Sequence, residues 1–524
     1  MITTPLPAGS LRATSLNAAR LDAELTASAE DEVDLLVVGG GVTGTGVALD
    51  AAARGLSVVL VESRDLAWGT SRWSSKLVHG GLRYLAHGDV ALAHESAVER
   101  NVLMTRTAPH LVRPLPQVTP LHSGVSRRQE LVIGAGLRAG DALRRVARTP
   151  SDVLPAPRRI PAAEALALVP GLRGAGLRGG LLHFDGQLID DARLVVALAR
   201  TAAGFGARVL TRTTVRELRG DGADVVDERS GASLRIRARS VVNAAGVWAG
   251  ELTPEVELTP SRGSHLLVDA DAAGLAGTSV VAPLAGASGR FLLLIPQPDG
   301  RALLGLTDEP APGPIPSVPE VPESDVDFLL AGIREVLRRP LGREHVLGSF
   351  AGLRPLLRQP GKPTADLSRH HAVLTSPEGV VTVVGGKLTT YRKMAAEAVD
   401  AAVQARGLSA GPSRTTGIAL VGAAPRHHLH DVEAPAQLVA KYGTEAARVA
   451  ALGEYDPDLA EPVAADSRLT AAEVLWAIRH EGALDADDVL DRRSRLGLDP
   501  AERATALPPT KSLVTKALAG LTPR

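Results

Sequence analysis

Glycines placed directly after a short apolar run constrain this chain more than any other feature of its sequence. Residues 34–38 read DLLVV, a run typical of a strand that is buried on both faces of a parallel sheet. Gly39, Gly41 and Gly44 follow at once in the spacing G-x-G-x-x-G. This order predicts the first strand and turn of a dinucleotide-binding unit, although a tight turn without a ligand would need the same glycines.

The residues after the glycines continue the same unit. Residues 45–54 are rich in alanine and predict a helix that Gly55 ends, because glycine is favoured just past a helix C-terminus. Residues 57–61 predict a second strand, and Glu62 follows it close to the ~20-residue separation that dinucleotide-binding units show. Strand, helix, second strand and terminal acid in this order favour a bound dinucleotide over an empty turn.

Each part of this unit has a mechanical role in holding a dinucleotide. Glycines let the backbone approach the pyrophosphate, and the helix N-terminus supplies N–H donors and a positive dipole. The acid accepts hydrogen bonds from the ribose hydroxyls. The cofactor-binding residues predicted here are Gly39, Gly40, Gly41, Val42, Thr43, Gly44 and Glu62.

The polar stretch that follows bears on which dinucleotide is bound. It leads into HGGLRY, residues 79–84, where an NAD enzyme would ordinarily continue its alternating strands and helices. Such a stretch can line the rest of a longer cofactor. Besides Ser74, it contains the predicted cofactor residues Thr70, Ser71, Ser75, Lys76, His79, Gly80 and Gly81.

Two later segments repeat the pattern of a strand that meets small residues. SVVNAAGVWAGEL covers residues 240–252, and VVTVVGGKLTTYRKMAAEAV covers residues 380–399. In the second segment Gly385 and Gly386 precede a helix, whose N-terminal N–H groups could face a ring system and stabilise the negative charge of a reduced flavin. The cofactor residues predicted in these segments are Ala244, Ala245, Gly246, Trp248, Gly386, Lys387, Leu388 and Thr389.

Length, charge and cysteine usage limit the remaining classes of protein. At 524 residues the chain exceeds the roughly 250–300 residues at which a single core stops growing, so two or more structural units are expected. With 58 basic and 58 acidic residues, no overall field attracts nucleic acid. The absence of cysteine excludes disulfides, thiolate metal sites and a catalytic thiol. No metal is expected, because the 14 histidines show no metal-ligand spacing.

The distribution of apolar residues favours a protein that faces the cytosol. Residues 1–30 lack the continuous apolar core of a signal peptide. No later segment has the roughly 18 uninterrupted apolar residues of a transmembrane helix. Neither export by that route nor a membrane-spanning chain is therefore expected.

Nine short blocks, taken together and in order, resemble the family of FAD-dependent glycerol-3-phosphate dehydrogenases, within the D-amino-acid-oxidase-like flavoenzymes. The blocks are GGGVTGTGVALDAAARGLSVVLVE, SSKLVHGGLRYL, APHLVRPLP, IDDARLVVALA, NAAGVW, GSHLLV, GLTDE, GLRPL and GGKLTTYRK. They span about residues 34–399, and residues 469–498 resemble the helical C-terminal domain of the same family. SSKLVHGGLRYL and GGKLTTYRK are the most specific of them.

The resemblance implies an α/β fold with FAD as the cofactor. A discontinuous Rossmann-like FAD-binding domain is expected beside a substrate-binding domain with a mixed or antiparallel sheet and a helical C-terminal domain. The bounds are 1–31 for an N-terminal extension; 32–120, 185–255 and 350–407 for the FAD-binding domain; 121–184 and 256–349 for the substrate-binding domain; and 426–524 for the helical domain. The substrate is expected where the FAD-binding and substrate-binding domains meet.

The reaction that the resemblance implies is oxidation of sn-glycerol 3-phosphate to dihydroxyacetone phosphate by hydride transfer to FAD. His265 is the candidate base for the hydroxyl proton, since an unperturbed imidazole titrates near ~6.5. The alternative is a histidine that hydrogen-bonds a strand neighbour or the flavin. Arg83 and Arg354 are the candidates for binding the phosphate, because the planar fork of arginine matches phosphate oxygens. As isolated residues, either arginine would more often lie at the surface or in an ion pair.

The other polar residues of these blocks have several interpretations. Lys387 could serve the phosphate, the substrate hydroxyl or the flavin carbonyl, and is assigned to catalysis with His265 and Arg354. Tyr84 and Thr389 complete the predicted substrate-binding set. Outside this set, Asp190, Asp191 and Arg193 predict a helix start, while Thr307 and Asp308 predict a turn after a strand.

Electrons that leave the flavin need an acceptor, and the resemblance implies a quinone at the membrane or oxygen. Residues 126–148 carry six arginines among apolar positions and could lie on the inner face of an anionic bilayer; the alternative is an ordinary solvated surface. Gly134, Gly136 and Gly140 argue against one continuous helix there. A homodimer is a further expectation.

Two other functions fit parts of the sequence. An amine or amino-acid oxidase on the same scaffold would use Arg354 for a carboxylate, but Arg83, Lys387 and the specific blocks favour phosphate. A flavin-binding protein without turnover is the second alternative. The combination of Arg83, His265, Arg354 and Lys387 argues against it.

Overall fold

The computed structural model describes residues 10–81, 85, 88–284, 290–358, 370–465 and 467–520. In chain order the strands are β1 (Glu32–Val38), β2 (Val58–Val61), β3 (Leu77–Val78), β4 (Val112–Pro120), β5 (Arg158–Ile160), β6 (Gly180–Leu188), β7 (Arg208–Leu210), β8 (Thr213–Arg219), β9 (Gly222–Asp227), β10 (Ser233–Asn243), β11 (Ser261–Asp269), β12 (Ser279–Pro283), β13 (Phe291–Pro296), β14 (Arg301–Gly305), β15 (Glu309–Pro310), β16 (Val346–Arg354), β17 (His371–Thr375) and β18 (Val380–Gly385).

The α-helices, in the same order, are α1 (Leu11–Thr14), α2 (Ala18–Glu30), α3 (Val42–Ala53), α4 (Val90–Val102), α5 (Arg127–Val146), α6 (Ala162–Leu168), α7 (Asp191–Gly204), α8 (Ala249–Leu252), α9 (Glu323–Arg334), α10 (Tyr391–Arg406), α11 (Arg426–His430), α12 (Ala436–Tyr442), α13 (Ala446–Tyr455), α14 (Ala471–His480), α15 (Ala486–Asp488) and α16 (Pro500–Ala519). The predicted strand–helix–strand unit is therefore β1, α3 and β2.

The first sheet has the strand order β17-β18-β10-β1-β2-β7, and the pairings in this order are parallel except for that of β17 with β18. Alternate residues of β1 face two different cores. Leu35 and Val37 pack with residues of α3, α7 and α10, whereas Leu36 and Val38 pack with residues of α2 and the hairpin β8–β9. Burial on both faces explains why β1 reads as a continuous apolar run.

The second sheet has the order β15-β11-β14-β13-β12-β4-β6-β3, with β16 paired to β11 and β5 paired to β6. Its pairings are antiparallel except for β12 with β4, so the expectation of a mixed sheet is confirmed. One face packs against α6 and α9. Side chains of β4, β11, β13, β14 and β16 form a small core on the opposite face, together with Leu498.

Four strands of the second sheet come wholly or partly from segments that the sequence assigned to the FAD-binding domain. β3 and β4 lie within the predicted range 32–120, whereas β6 and β16 cross the predicted bounds at residues 184/185 and 349/350. Sheet membership depends on which distant strand a segment pairs with, and local pattern does not record that. The predicted domain bounds therefore differ from sheet membership at these strands, and otherwise remain predictions.

Helices α12 to α16 form a separate region with two apolar clusters, as the prediction of a helical C-terminal domain requires. The segment before β1 packs onto it. Ser15 Oγ lies 2.7 Å from Nδ1 of His480, and the backbone of Leu16 pairs with that of Glu481. The predicted N-terminal extension thus ties the first sheet to the C-terminal helices.

Residues 127–146 form one helix, α5, so the expectation that three glycines interrupt it was wrong. Ser126 and Gln129 form a capping box at its start, and Glu130 and Asp141 are buried in ion pairs with neighbouring arginines. Capping and packing together exceed the cost of about 1 kcal/mol per glycine. Along the part of the chain that the structure describes, no helix is both long and apolar enough to cross a bilayer.

Candidate functional site

The glycine motif forms a backbone cradle at the carboxyl end of β1. Gly39 has a φ of 111°, and a Cβ on Gly44 would collide with the carbonyl oxygen of Gly39. The backbone N–H of Gly40 donates to Glu62 Oε2 at 2.6 Å. Burial raises the pKa of Glu62, while hydrogen bonds from backbone N–H groups oppose the rise. Close backbone approach and an acid at the end of β2 are the features that a dinucleotide needs.

The cradle fits the ADP half of FAD. The N-cap of α3 is Gly41, which has no capping side chain, so the helix presents its first N–H groups next to a side-chain-free backbone. Ser71 Oγ accepts from the N–H of Val42 at 2.9 Å, and a Cβ on Gly41 would lie 3.0 Å from the same oxygen. Residues 39–44, Glu62 and Ser71 would therefore hold the pyrophosphate and ribose, with Thr43 in the first turn of the helix.

The other two glycine segments reach the same edge of the first sheet. β10, β1 and β18 are parallel, so their carboxyl ends lie side by side. The backbone of Ala244 and Ala245 lies directly against Gly39, and Gly246 and Trp248 follow in a short 3-10 helix. At the end of β18, Gly385 and Gly386 have φ values of 79° and 71°. Both segments therefore lie at the carboxyl edge of the sheet that carries the cradle.

The hydroxyl-rich stretch links the cradle to the second sheet. Thr70 Oγ1 donates to the carbonyl of Leu353 at 2.7 Å, one residue before Arg354. The N–H of Gly80 donates to Asp185 Oδ1 at 3.1 Å, and Arg100 forms an ion pair of 2.7 Å with the same oxygen. His79 and Gly81 flank this bond. Arg83 and Tyr84 lie outside the described residues.

His265 stands on β11 on the face of the second sheet that carries the small core with Leu498. Its ring stacks on Phe350 with centroids 4.8 Å apart, and Nε2 lies 2.8 Å from Ser75 Oγ. The side chain is only 3% exposed. Burial, then the charges of Lys76 and Arg354, lower the pKa of His265 to about 3, so the imidazole is neutral at physiological pH.

Arg354, at the end of β16, lies on the same face as His265, and its partner on β11 is four residues before that histidine. The pairing of β11 with β16 sets Ser261 opposite Arg354 and His265 opposite Phe350. The guanidinium covers Gly263, where a Cβ would collide with Nη2. Absence of a side chain at this glycine lets the cation lie flat against the sheet beside the imidazole.

Thr307 and Asp308, which the sequence assigned to a turn, orient Arg354. Nη1 donates to Asp308 Oδ1 at 3.2 Å and to Ser261 Oγ at 3.1 Å, and Nη2 donates to the carbonyl of Thr307 at 3.0 Å. The side chain is 20% exposed. These three hydrogen bonds fix the orientation of the guanidinium.

Lys387 and Thr389 lie just after β18 of the first sheet, at the start of and within a 3-10 helix. Lys387 Nζ donates to Ser96 Oγ of α4 at 2.6 Å. The 3-10 helix Leu388–Thr390, which contains the buried Thr389, contacts β3, the strand that directly follows Lys76. The structure thus brings Lys387, Leu388 and Thr389 to the segment that carries Ser75 and Lys76.

The sequence missed the charged pair behind the imidazole. Asp191 binds the N–H and Oγ of Ser74 at 3.0 and 2.7 Å, and lies 3.4 Å from Lys76 Nζ. Burial alone would raise the pKa of Asp191, but Lys76 and Arg495 outweigh it and lower the value to about 2. The predicted helix start is confirmed, since Asp190 caps α7. The sequence signal for this pair was the second acid. One acid, Asp190, is enough to cap the helix, so Asp191 beside it indicated another role.

Two family models match this chain. The first, FAD dependent oxidoreductase, covers residues 34–392, and the second, the C-terminal domain of alpha-glycerophosphate oxidase, covers residues 413–519. Both ranges agree with the two regions of the structure.

Curated relatives are similar along nearly the whole chain. Glycerol-3-phosphate dehydrogenase 1 of Mycobacterium tuberculosis is 49% identical over 513 residues, covering 96% of this chain and 99% of the relative. A mitochondrial glycerol-3-phosphate dehydrogenase of Arabidopsis thaliana is 34% identical over 540 residues, covering 93% and 83%.

Solved structures are similar in fold. Glycerol-3-phosphate dehydrogenase from Bacillus halodurans, complexed with FAD, matches with a TM-score of 0.71 and 25% identity, covering 96% of this chain and 97% of that chain. L-alpha-glycerophosphate oxidase from Mycoplasma pneumoniae matches with a TM-score of 0.56 and 18% identity, covering 74% and 98%, and shows the fold alone.

Proposed function

The chain belongs to the family of FAD-dependent glycerol-3-phosphate dehydrogenases, and we propose that it oxidises sn-glycerol 3-phosphate to dihydroxyacetone phosphate. The observation that carries this proposal is the oriented guanidinium of Arg354, which covers Gly263, two residues before the neutral His265 on β11. A cation for the phosphate and a base for the hydroxyl proton are the two groups that the reaction needs from the protein.

FAD, when bound, supplies the ring N5 that accepts the hydride from C2 of the substrate. The cradle at residues 39–44 with Glu62 and Ser71 would hold the ADP half of FAD. Residues 75–81 and 386–389 would line the flavin half, because β3 in the first segment contacts the 3-10 helix Leu388–Thr390 in the second.

The protein's own part in the reaction is to bind the phosphate and to take a proton. Arg354, together with Arg83, binds the phosphate, and Lys387, Thr389 and Tyr84 line the polar side of the substrate. The neutral ring of His265 accepts the proton of the C2 hydroxyl as the hydride leaves. Because the charge of Arg354 lowers the pKa of His265, a phosphate dianion on Arg354 raises that pKa and strengthens the base once substrate is bound.

Anaerobic reduction of the purified yellow protein tests the substrate. Glycerol 3-phosphate is expected to bleach the oxidised-flavin band, while glycerol, which lacks the phosphate, is not. Bleaching by amino acids instead would favour an oxidase in which Arg354 binds a carboxylate. Inertness towards every reductant of these classes would favour a flavin-binding protein without turnover.

We further propose that the electrons pass to a quinone and that α5 rests on an anionic membrane surface. Leu131, Val132 and Val146 of this helix are 71%, 64% and 64% exposed. Its acids, Glu130 and Asp141, are buried in ion pairs, so the arginines determine the charge of its outer surface. An apolar strip flanked by arginines is typical of a helix that lies in the plane of an anionic interface.

Sedimentation with vesicles tests the membrane contact. The protein is expected to bind vesicles that contain phosphatidylglycerol and to leave pure phosphatidylcholine vesicles unbound. Leu131→Gln with Val132→Gln should abolish the binding, whereas Phe328→Gln, on the exposed surface of α9, is the matched control. Equal binding by both variants would exclude α5 as the contact.

A homodimer remains a prediction, which sedimentation velocity tests.

A further inference from the structure

A segment of the C-terminal region lies directly behind the proposed catalytic histidine. Leu498 packs into the small core that contains Phe350 and Leu267, on the face of the sheet that carries His265. The carbonyl of Leu498 lies so close to Gly348 that a Cβ there would collide with it. Residues 491–498 are therefore a wall of the site, although they belong to a different structural region.

Arg495 extends from this wall towards the active site. It is 6% exposed and has a φ of 66°, and its Nη2 and Nη1 donate to the carbonyls of Arg72 and Asp491 at 2.5 and 2.7 Å. Its Nε faces two acids, Asp190 at 3.7 Å and Asp191 at 3.9 Å. Two backbone bonds fix the guanidinium, which leaves its Nε edge for the acids.

Asp190 and Asp191 are a pair of adjacent buried carboxylates. Burial raises the pKa of Asp190, and the charge of Asp191 raises it further, while Arg495, Lys76 and Arg193 lower it. Two such acids stay ionised together only if cations neutralise them. Of the cations Arg495, Lys76 and Arg193, the C-terminal region contributes Arg495.

Asp191 in turn holds the tripeptide that contains Ser75. It accepts from the N–H and the hydroxyl of Ser74 and pairs with Lys76 on the other side. Lys76 has a φ of 55°, a strained conformation for a residue with a side chain. Contacts on both sides of Ser75 fix the position of its hydroxyl, 2.8 Å from Nε2 of His265.

We propose that Arg495 is a positioning residue for His265, acting through Asp191 on Lys76 and Ser75, so that docking of the C-terminal domain completes the catalytic site. The proposal rests on the proposed function, since it assigns a partner to the base of that reaction. It gives the C-terminal domain a role in the chemistry of the site.

The charges around His265 set the direction of the expected change. Lys76 and Arg354 lower its pKa, and Asp191 raises it; Arg495 and Asp190 form the next layer. Removing Arg495 takes a cation from this buried cluster. The protonated imidazole then becomes less unfavourable, so the pKa of His265 rises and the acid limb of its titration moves to higher pH.

The experiment compares Arg495→Gln and Arg495→Lys in the full FAD-loaded chain. Flavin reduction by glycerol 3-phosphate is followed anaerobically against pH and substrate concentration. The limiting rate of Arg495→Gln is expected to fall by roughly tenfold or more with little change in the half-saturating concentration, because the base is misplaced while the phosphate site is intact. Arg495→Lys, which keeps the charge and a side chain on the same strained backbone, should recover much of the rate.

A second readout does not depend on turnover. In protein labelled with ¹⁵N-histidine, the ring signals of His265, assigned by their loss in His265→Asn, report its protonation. As the pH is lowered from about 6, they should change to those of the protonated ring at a higher pH in Arg495→Gln than in the parent.

Glu502→Gln is the control, because it breaks the 2.8 Å ion pair of Glu502 with Arg301 across the same domain boundary, outside this cluster. It should change neither readout. The proposal is overturned if Arg495→Gln keeps the parental rate, pH profile and ring signals. It is also overturned if Arg495→Lys and Glu502→Gln lose as much rate as Arg495→Gln. A parent protein that glycerol 3-phosphate does not reduce would instead refute the proposed function, leaving the ring signals to test Arg495 by themselves.

Discussion

Single side chains take their roles in this site from the residues next to them. An arginine over a glycine, fixed by Asp308 and Ser261, becomes a directed donor, and a histidine stacked on Phe350 stays neutral. Asp308 and Ser261 are distant in sequence from Arg354, and Phe350 is distant from His265. The residue type therefore indicates which chemistry is available, and the pairing of strands decides whether it is used.

Replacing Arg354 with Gln is expected to raise the half-saturating concentration of glycerol 3-phosphate about 100-fold, since hydrogen bonds to charged groups contribute roughly 1.5–3 kcal/mol each. Arg354→Lys should recover only part of the loss, because an ammonium lacks the planar fork. Anaerobic titration of flavin reduction measures both. Arg358→Gln, four residues along in an exposed ion pair with Glu257, is the control and should resemble the parent. An unchanged half-saturating concentration in Arg354→Gln would remove this residue from the phosphate site.

His110 makes the stability of the protein sensitive to acid. Burial and the charge of Arg193 lower its pKa to about 3, whereas an unfolded histidine titrates near ~6.5. Unfolding therefore takes up a proton between these pH values, and the folded state loses stability as the pH falls through that window. His110→Gln should reduce the slope of the free energy of unfolding against pH by about 1.4 kcal/mol per unit below pH ~6.

Urea unfolding at several pH values between about 7 and 5 measures this slope. His427, exposed on α11, supplies the control variant His427→Gln. If the two variants have the same slope, His110 does not carry the acid sensitivity.

Among the strands and helices, the sequence pattern predicted those whose formation depends on residues that are close together in the chain. β1, α3 and β2 follow from an apolar run, a glycine spacing and an alanine-rich segment, and the site edge follows from three such strands being parallel neighbours. The continuity of α5 did not follow, because it depends in part on the ion pairs of Glu130 with Arg159 and Arg178, which are distant in sequence. The Asp191–Lys76 pair was missed for the same reason, since the two residues are far apart in sequence.

Replacing a glycine with alanine should stabilise one helix, α5, and destabilise the protein at another, α3. A Cβ on Gly136 of α5 would meet nothing within 4 Å, so Gly136→Ala should stabilise the helix by about 1 kcal/mol. A Cβ on Gly46 of α3 would lie 2.9 Å from the ring of Tyr391, so Gly46→Ala should destabilise the protein. Hydrogen exchange of the amides in each helix, together with the Tm, measures both effects. A loss of protection in α5 of Gly136→Ala would contradict the packing described for that helix.

Across the whole molecule, buried ion pairs join the C-terminal region to the dinucleotide-binding sheet. Asp65, next to the end of β2, accepts from Arg492 at 2.6 Å and from Arg493 at 2.9 Å, and all three side chains are 1% exposed. Arg193 of α7 pairs with Glu481 at 2.6 Å, also in the interior. A boundary of this kind opens only at the cost of leaving buried charges without partners.

Asp65→Asn is therefore expected to destabilise the protein by about 3–5 kcal/mol, because two buried arginines lose their shared carboxylate. The Tm should fall, and limited proteolysis should release the C-terminal region earlier than in the parent. Asp485→Asn serves for comparison, since Asp485 is half exposed in its pair with Arg212. Equal proteolysis of the two variants would show that the buried pair does not hold the regions together.

The contact between the two ends of the chain has a consequence for how the protein is made. Ser15 and His480, which lie 2.7 Å apart, are separated by 465 positions. The segment around Ser15 therefore leaves the ribosome long before its partner has been synthesised. β1 likewise cannot complete its sheet before β10 and β18 have emerged, and contacts of such long range form slowly. During this interval the apolar faces of β1 and α2 are exposed, so we expect newly made chains to depend on chaperones more than the finished protein does.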